Sequence, residues 1–222
     1  SAEQQESFLF GIESGDKLFF GATPERLVEV RGDHAGTACV AGSVRRGKSA
    51  GEDRLLGDGL LGDPKNRSEH QYVVSMIGEV FRRLCTDVRI PAGPRLLKVR
   101  DIQHLFTPVE GVPVPGKDLL DFVEALHPTP ALGGTPREAA MPMIRENEGM
   151  DRGYYGAPVG WMDAEGNGEF AVAIRSALLE GGTARLFAGG GIVADSVPEE
   201  EYEETWVKFR PVMRALGGKL HG

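Results

Sequence analysis

Residues 42–49 read GSVRRGKS, formally the G-x-x-x-x-G-K-[ST] string of a phosphate-cradling loop. Such a loop needs a strand before it and a helix that starts at the Lys-Ser. A buried parallel strand ending in an acidic residue should follow, to help hold magnesium. TACVAGS can supply the first strand. SAGEDRLLGDGLLG reads as a glycine-broken helix at best, and RLLKVRD, the nearest later strand, is interrupted by Lys98 and Arg100. Flanking hairpin signals argue for antiparallel pairing rather than a crossover. The alternative to a nucleotide site is a basic loop after an edge strand.

Carboxylates give a second lead. Glu69 stands one turn before Val73 and shares a helical stripe with Met76, Ile77 and Val80. A carboxylate on a core face is costly unless it is paired or bound to a metal, although in a first turn it can also simply cap the helix or be solvated. In PEEEYEETWVKF, Glu201, Glu204 and Lys208 share one helix face beside a stripe of Trp206, Phe209, Met213 and Leu216. Oxygen-only ligands from two or three carboxylates suit Mg²⁺, and a solvated face with an ion pair is the other reading. Arg175, after the apolar AVAI, wants a carboxylate partner, and glycines 189–191 can let backbone N–H groups reach an anion. His104 and His127 either line a pocket or are satisfied core histidines.

These residues need elements to carry them. Strand-like runs come early: FLFGI (8–12), KLFFGA (17–22), RLVEV (26–30) and TACVAGS (37–43), read as an antiparallel meander. A helix follows over SEHQYVVSMIGEVFRRL. Short strands come next around 95–99 and 106–112, and helices near 117–126 and 135–146. A second strand set covers 157–163, 169–180 and 185–193, with GNG and GGT closing its hairpins, and a final helix runs from Pro198 to Leu216. The pattern predicts an α+β fold of largely antiparallel sheets with helices packed outside.

A net charge of −8 makes a general nucleic-acid or anionic-membrane surface an unsuitable reading, and no apolar run reaches membrane-spanning length. Two cysteines without metal spacing argue against a disulfide scaffold and fit a reducing cytoplasm. Glycine is in excess at 31 of 222 residues, clustered at 132–134, 181–182 and 189–191, as expected where backbone must turn tightly or approach a ligand.

Several stretches together resemble the chorismate-utilising enzymes, most closely isochorismate synthases of the menaquinone type: ATPERL (22–27), VAGSVRRG (40–47), KNRSEHQYVVSMI (65–77), IQHLFTPVEG (102–111), HPTPALGGTP (127–136), MDRGYYGAPVGWMDAEGNGEFAVAIRSALL (150–179) and LFAGGGIVADSVPEEEYEETWVKFRPVMRALGG (186–218). In such enzymes the AGS-x-R-R-G loop follows a strand, and the trailing Lys48-Ser49 completes the phosphate-loop string by chance. The resemblance implies that Glu25 is the general acid for the departing C4 hydroxyl of chorismate. It implies Glu69 and Glu204 as direct Mg²⁺ ligands, with Glu201 a further carboxylate. It implies Tyr155, Arg175 and Lys208, with backbone of Gly189 and Gly191, as the pocket for the enolpyruvyl carboxylate. Gly42 and Ser43 would lie near the hydroxyl being lost, His104 and His127 near the ring, and Ala131 would mark the branch that uses water rather than ammonia. The family's base lysine lies upstream of the acid motif, and Lys17 does not match it. The expectation is therefore one C-terminal chorismate-binding domain over 1–222, inactive alone, that partners an upstream half or a second copy.

Overall fold

The computed structural model describes residues 7–98, 102–194 and 196–217. In chain order the elements are β1 (Phe8–Ser14), β2 (Lys17–Thr23), β3 (Arg26–Arg31), β4 (His34–Arg45), α1 (Ala50–Gly62), α2 (Pro64–Leu84), β5 (Cys85–Arg89), β6 (Arg95–Lys98) and β7 (Ile102–Pro113). They continue with α3 (Leu119–Leu126), α4 (Pro130–Gly133), α5 (Arg137–Asn147), β8 (Pro158–Met162), β9 (Gly168–Val172), β10 (Ser176–Glu180), β11 (Thr183–Phe187) and α6 (Pro198–Ala215). The last three residues of RLLKVRD lie outside the described residues. Among the described residues, no helix is long and apolar enough to cross a membrane.

The described chain divides into two compact units. The first takes in the described residues of Arg26–Leu126 and Gly160–Phe170. Its sheet has the order β5-β7-β4-β3-β9-β8, with β6 also paired to β7. α2 lies against β4 and β7. Val28, Phe81, Leu105, Val109, Leu119 and Phe122 are fully buried there. The second unit takes in Ser7–Glu25, His127–Val159 and the described residues from Ala171 onward. Its antiparallel sheet has the order β1-β2-β10-β11. Phe19, Tyr155, Ala173 and Phe187 form its core, flanked by Phe10, Ile12 and Leu178.

Two strand readings need correction. The four early strands are not one meander: β1 pairs β2 in the smaller sheet, whereas β3 pairs β4 in the larger. The break falls at Pro24-Glu25, where proline has no N–H for a ladder. Likewise 169–180 is not one strand. β9 ends at Val172 and β10 begins at Ser176, in different sheets, and between them Arg175 adopts φ 53°, a left-handed conformation. The FAGGGIV run is strand only to Phe187.

The helices also depart from their stripes. α1 is continuous despite its four glycines, and Ser49 caps it by accepting from Glu52 N–H. In α2 the buried line is His70, Val74, Ile77 and Phe81, which turns Glu69 out to solvent. In α6 only Val212 is buried, and Trp206 and Leu216 are exposed. The helix meets β11 over a short length. Its aromatic residues pack on one another instead, with Trp206 6.2 Å from Tyr202 and 5.7 Å from Phe209, ring centre to ring centre. Sequence patterning missed β5 and the four-residue α4.

Candidate functional site

Both strand breaks of the second unit carry a candidate residue. Glu25 follows β2, and its carbonyl accepts from Val172 N–H at 2.9 Å. Burial pushes its carboxyl pKa up, against the pull of the Arg175 and Lys208 charges. Arg175 stands at the other break. Burial lowers its pKa, opposed by Tyr155, Glu25 and Glu204. Among the described residues its guanidinium makes no hydrogen bond or ion pair. A half-buried cation without a partner is costly, and an anionic ligand removes that cost.

Tyr155, Gly189 and Lys208 stand beside these two. Tyr155 is buried and stacks on Phe187 at 5.4 Å, and burial raises its phenol pKa. A Cβ on Gly189 would lie 3.1 Å from the Tyr155 hydroxyl, a clearance that suits glycine. Lys208 Nζ donates to the Gly189 carbonyl at 3.0 Å and pairs with Glu204 at 2.7 Å. Glu201 accepts from Ser196 Oγ at 2.7 Å. A Cβ on Gly190 would come 3.2 Å from Glu201 Oε2 and 3.5 Å from Lys208 Nζ, so these groups share one neighbourhood. Gly191 faces open space. His127 Nε2 donates to the Gly156 carbonyl at 2.8 Å, and burial lowers its pKa. Ala131 is exposed on α4. Lys17 is exposed and bound to Glu180 at 2.8 Å, a partnership that raises its pKa.

The first unit holds a separate group. The β4–β7 register shifts between Ala41 and Ser43, a bulge for which Gly42 adopts φ 79°. The bulge brings Ser43 Oγ within 2.6 Å of His104 Nδ1. Asn66, missed by sequence reasoning, reaches this turn: a Cβ on Gly42 would lie 3.0 Å from Asn66 Oδ1. His70, also missed, donates from Nδ1 to the Ala41 carbonyl at 3.1 Å and accepts at Nε2 from Thr107 Oγ1 at 2.8 Å. The only sequence signal for either was its place in KNRSEHQ. Among the described residues, no three His, Cys, Asp or Glu side chains gather closely enough to hold a metal.

The formal phosphate loop is already filled by the chain's own carboxylates. Gly47 N–H donates to Asp53 at 3.0 Å and Lys48 N–H to Glu52 at 2.7 Å. Asp53 also binds Arg46 and Lys98, which hold its carboxyl well below the usual range. These amides cannot cradle a phosphate, and β4 pairs antiparallel with both neighbours rather than entering a crossover. Asp53→Asn is expected to lower the melting temperature by several degrees, because Arg46 and Lys98 lose a shared anion. Thermal unfolding followed by circular dichroism checks this.

Glu25 is thus within electrostatic reach of Arg175 and Lys208, with the Arg175 guanidinium unbonded among the described residues. The chain belongs to the chorismate binding enzyme family, which its sequence matches over residues 1–217. It is 52% identical over 217 residues to isochorismate synthase MenF of Bacillus subtilis, covering 98% of this chain and 46% of that one. It is 46% identical over 219 residues to the salicylate biosynthesis isochorismate synthase of Pseudomonas aeruginosa, with coverages of 97% and 46%. The solved structure of MenF, the menaquinone-specific isochorismate synthase of Escherichia coli, aligns with a TM-score of 0.84 at 31% identity, covering 95% of this chain and 48% of that one. The chain thus spans about half the length of the curated relatives it matches. The expected α+β class, with antiparallel sheets and helices, holds.

Proposed function

We propose that this chain supplies the acid, the carboxylate pocket and the metal ligands of a cytoplasmic isochorismate synthase acting on chorismate. The observation that carries this reading is the Arg175 guanidinium, unbonded among the described residues and within electrostatic reach of Glu25, whose burial favours its protonated form. Arg175, Lys208 and the Tyr155 hydroxyl hold the enolpyruvyl carboxylate. Glu25 protonates the C4 hydroxyl as it leaves as water, while a second water adds at C2 and gives up its proton to a base outside this set of residues, and the double bond shifts between them. His127, in the same unit as Glu25, lies near the ring. Glu201 and Glu204 of α6 offer hard carboxylate oxygen, the chemistry that suits magnesium, and among the described residues no third carboxylate gathers with them. When bound, the metal would screen the ring carboxylate.

Lys17 is engaged with Glu180, so this chain offers no free lysine N-terminal to Glu25 as base among the described residues. That favours a second reading, in which the chain alone binds chorismate without converting it. Titration calorimetry with chorismate, with and without Mg²⁺, followed by chromatography of the mixture, tests both. Saturable binding that Mg²⁺ tightens, with no isochorismate formed, is expected. Absence of binding would sink the site assignment. Isochorismate in the mixture would overturn the inactivity of the chain alone. Salicylate, or anthranilate formed in the presence of ammonia, would move the chain to a different branch of the family.

A further inference from the structure

The second unit contains a second semi-buried arginine, and its bonding is the reverse of that of Arg175. Arg152 Nε donates to Glu148 Oε2 at 2.7 Å, Nη2 donates to Glu148 Oε1, and Nη1 donates to the Leu132 carbonyl at 2.8 Å. Its own carbonyl accepts from Tyr155 N–H at 2.8 Å, closing the turn that presents the phenol. Its guanidinium carbon lies 6.0 Å from the centre of the Tyr155 ring. With each guanidinium nitrogen already bonded within the chain, Arg152 is poorly placed to be an anion ligand. It instead joins three segments: Glu148 just past α5, Leu132 of α4, and the turn leading to Tyr155. His127 holds the far side of that turn through the Gly156 carbonyl at 2.8 Å, and Gly156 N–H donates to the Ala173 carbonyl at 3.0 Å.

We propose that Arg152, held by Glu148, is a positioning residue that fixes Tyr155 over Gly189 and so sets where the substrate carboxylate meets the phenol. The clause about substrate rests on the chorismate reading; the positioning of Tyr155 does not. A planar fork is required, because one guanidinium must meet both oxygens of the Glu148 carboxylate on one side and the Leu132 carbonyl on another. Lysine offers charge without that geometry.

Hydrogen exchange on the ligand-free chain tests the positioning. In Arg152→Met the amides of Tyr155 and Gly156 are expected to exchange about tenfold faster, whereas those of β2 and β10 keep their protection. Arg152→Lys is expected to recover less than half of that protection. Unchanged exchange at 155–156 in Arg152→Met, or full recovery in Arg152→Lys, would overturn the proposal. If Arg152→Met fails to fold, Glu148→Gln removes the charge that orients the fork and is read by the same amides. Chorismate titration then tests the substrate clause. Arg152→Met is expected to bind about tenfold more weakly, and Arg152→Met combined with Tyr155→Phe no more weakly than Tyr155→Phe alone. Losses that multiply in the double variant would show that Arg152 acts independently of Tyr155 and would defeat the proposal. A wild-type chain that binds no chorismate would defeat the functional reading instead, and the exchange result would still decide the positioning.

Discussion

Arg175→Gly is expected to raise the melting temperature while weakening chorismate binding about 100-fold. Stability rises for two reasons. Arg175 adopts φ 53°, where a Cβ costs about 1 kcal/mol that glycine does not incur. Its charge is also half-buried, and among the described residues no hydrogen bond or ion pair offsets the lost hydration. Binding falls because the guanidinium is the cation awaiting a partner, and a charge-assisted pair of hydrogen bonds to carboxylate contributes about 2.7 kcal/mol, or roughly 100-fold. The opposed signs make the test selective. Scanning calorimetry and chorismate titration on the same sample would show a more stable chain that no longer binds. A destabilised chain with unchanged affinity would mean that the arginine serves the fold.

Glu25→Gln is expected to raise the melting temperature at neutral pH and to leave it unchanged near about pH 4. The sign follows from the direction of the shift. Burial raises the folded-state pKa above its ordinary value of 4.5, so between the two values the folded chain binds more protons than the unfolded one. The stabilisation is complete below the unfolded pKa and is lost as pH rises through the folded pKa. Glutamine stays neutral throughout and mimics the protonated acid. A series of melts from acid to neutral pH would therefore diverge between wild type and variant as pH rises. Curves that stay parallel would show an ordinary, solvated carboxylate at this position.

Much of the sheet structure was legible from alternation and turn residues. The β1–β2 and β10–β11 hairpins pair around Gly15 and the GGT turn, as local chemistry requires. The two strand breaks were not legible, because apolar alternation runs straight through 169–180 and only tertiary context forces Arg175 into a left-handed conformation. Of the two readings of Glu69, the solvated one holds, for a different reason. Histidine scores as polar, yet His70 finds bonds to Ala41 and Thr107 and takes the buried position that periodicity gave to its neighbours. Arg175 stood out as a charge in an apolar run and lies within electrostatic reach of Glu25. Arg152 gave no such signal: it sits in a loop without periodicity, and its role depends on Glu148 and Leu132, which a one-dimensional pattern does not bring together.

The central claim is that a proton on Glu25 and an anion on Arg175 occupy one site and favour each other. Calorimetric titration of chorismate in buffers of different ionisation enthalpy, repeated across pH, measures it directly. The account predicts proton uptake on binding that is small in acid, grows as pH rises past the free-state pKa of Glu25, and disappears in Glu25→Gln. Uptake that is absent in the wild-type chain, or equal in the two proteins, would contradict it.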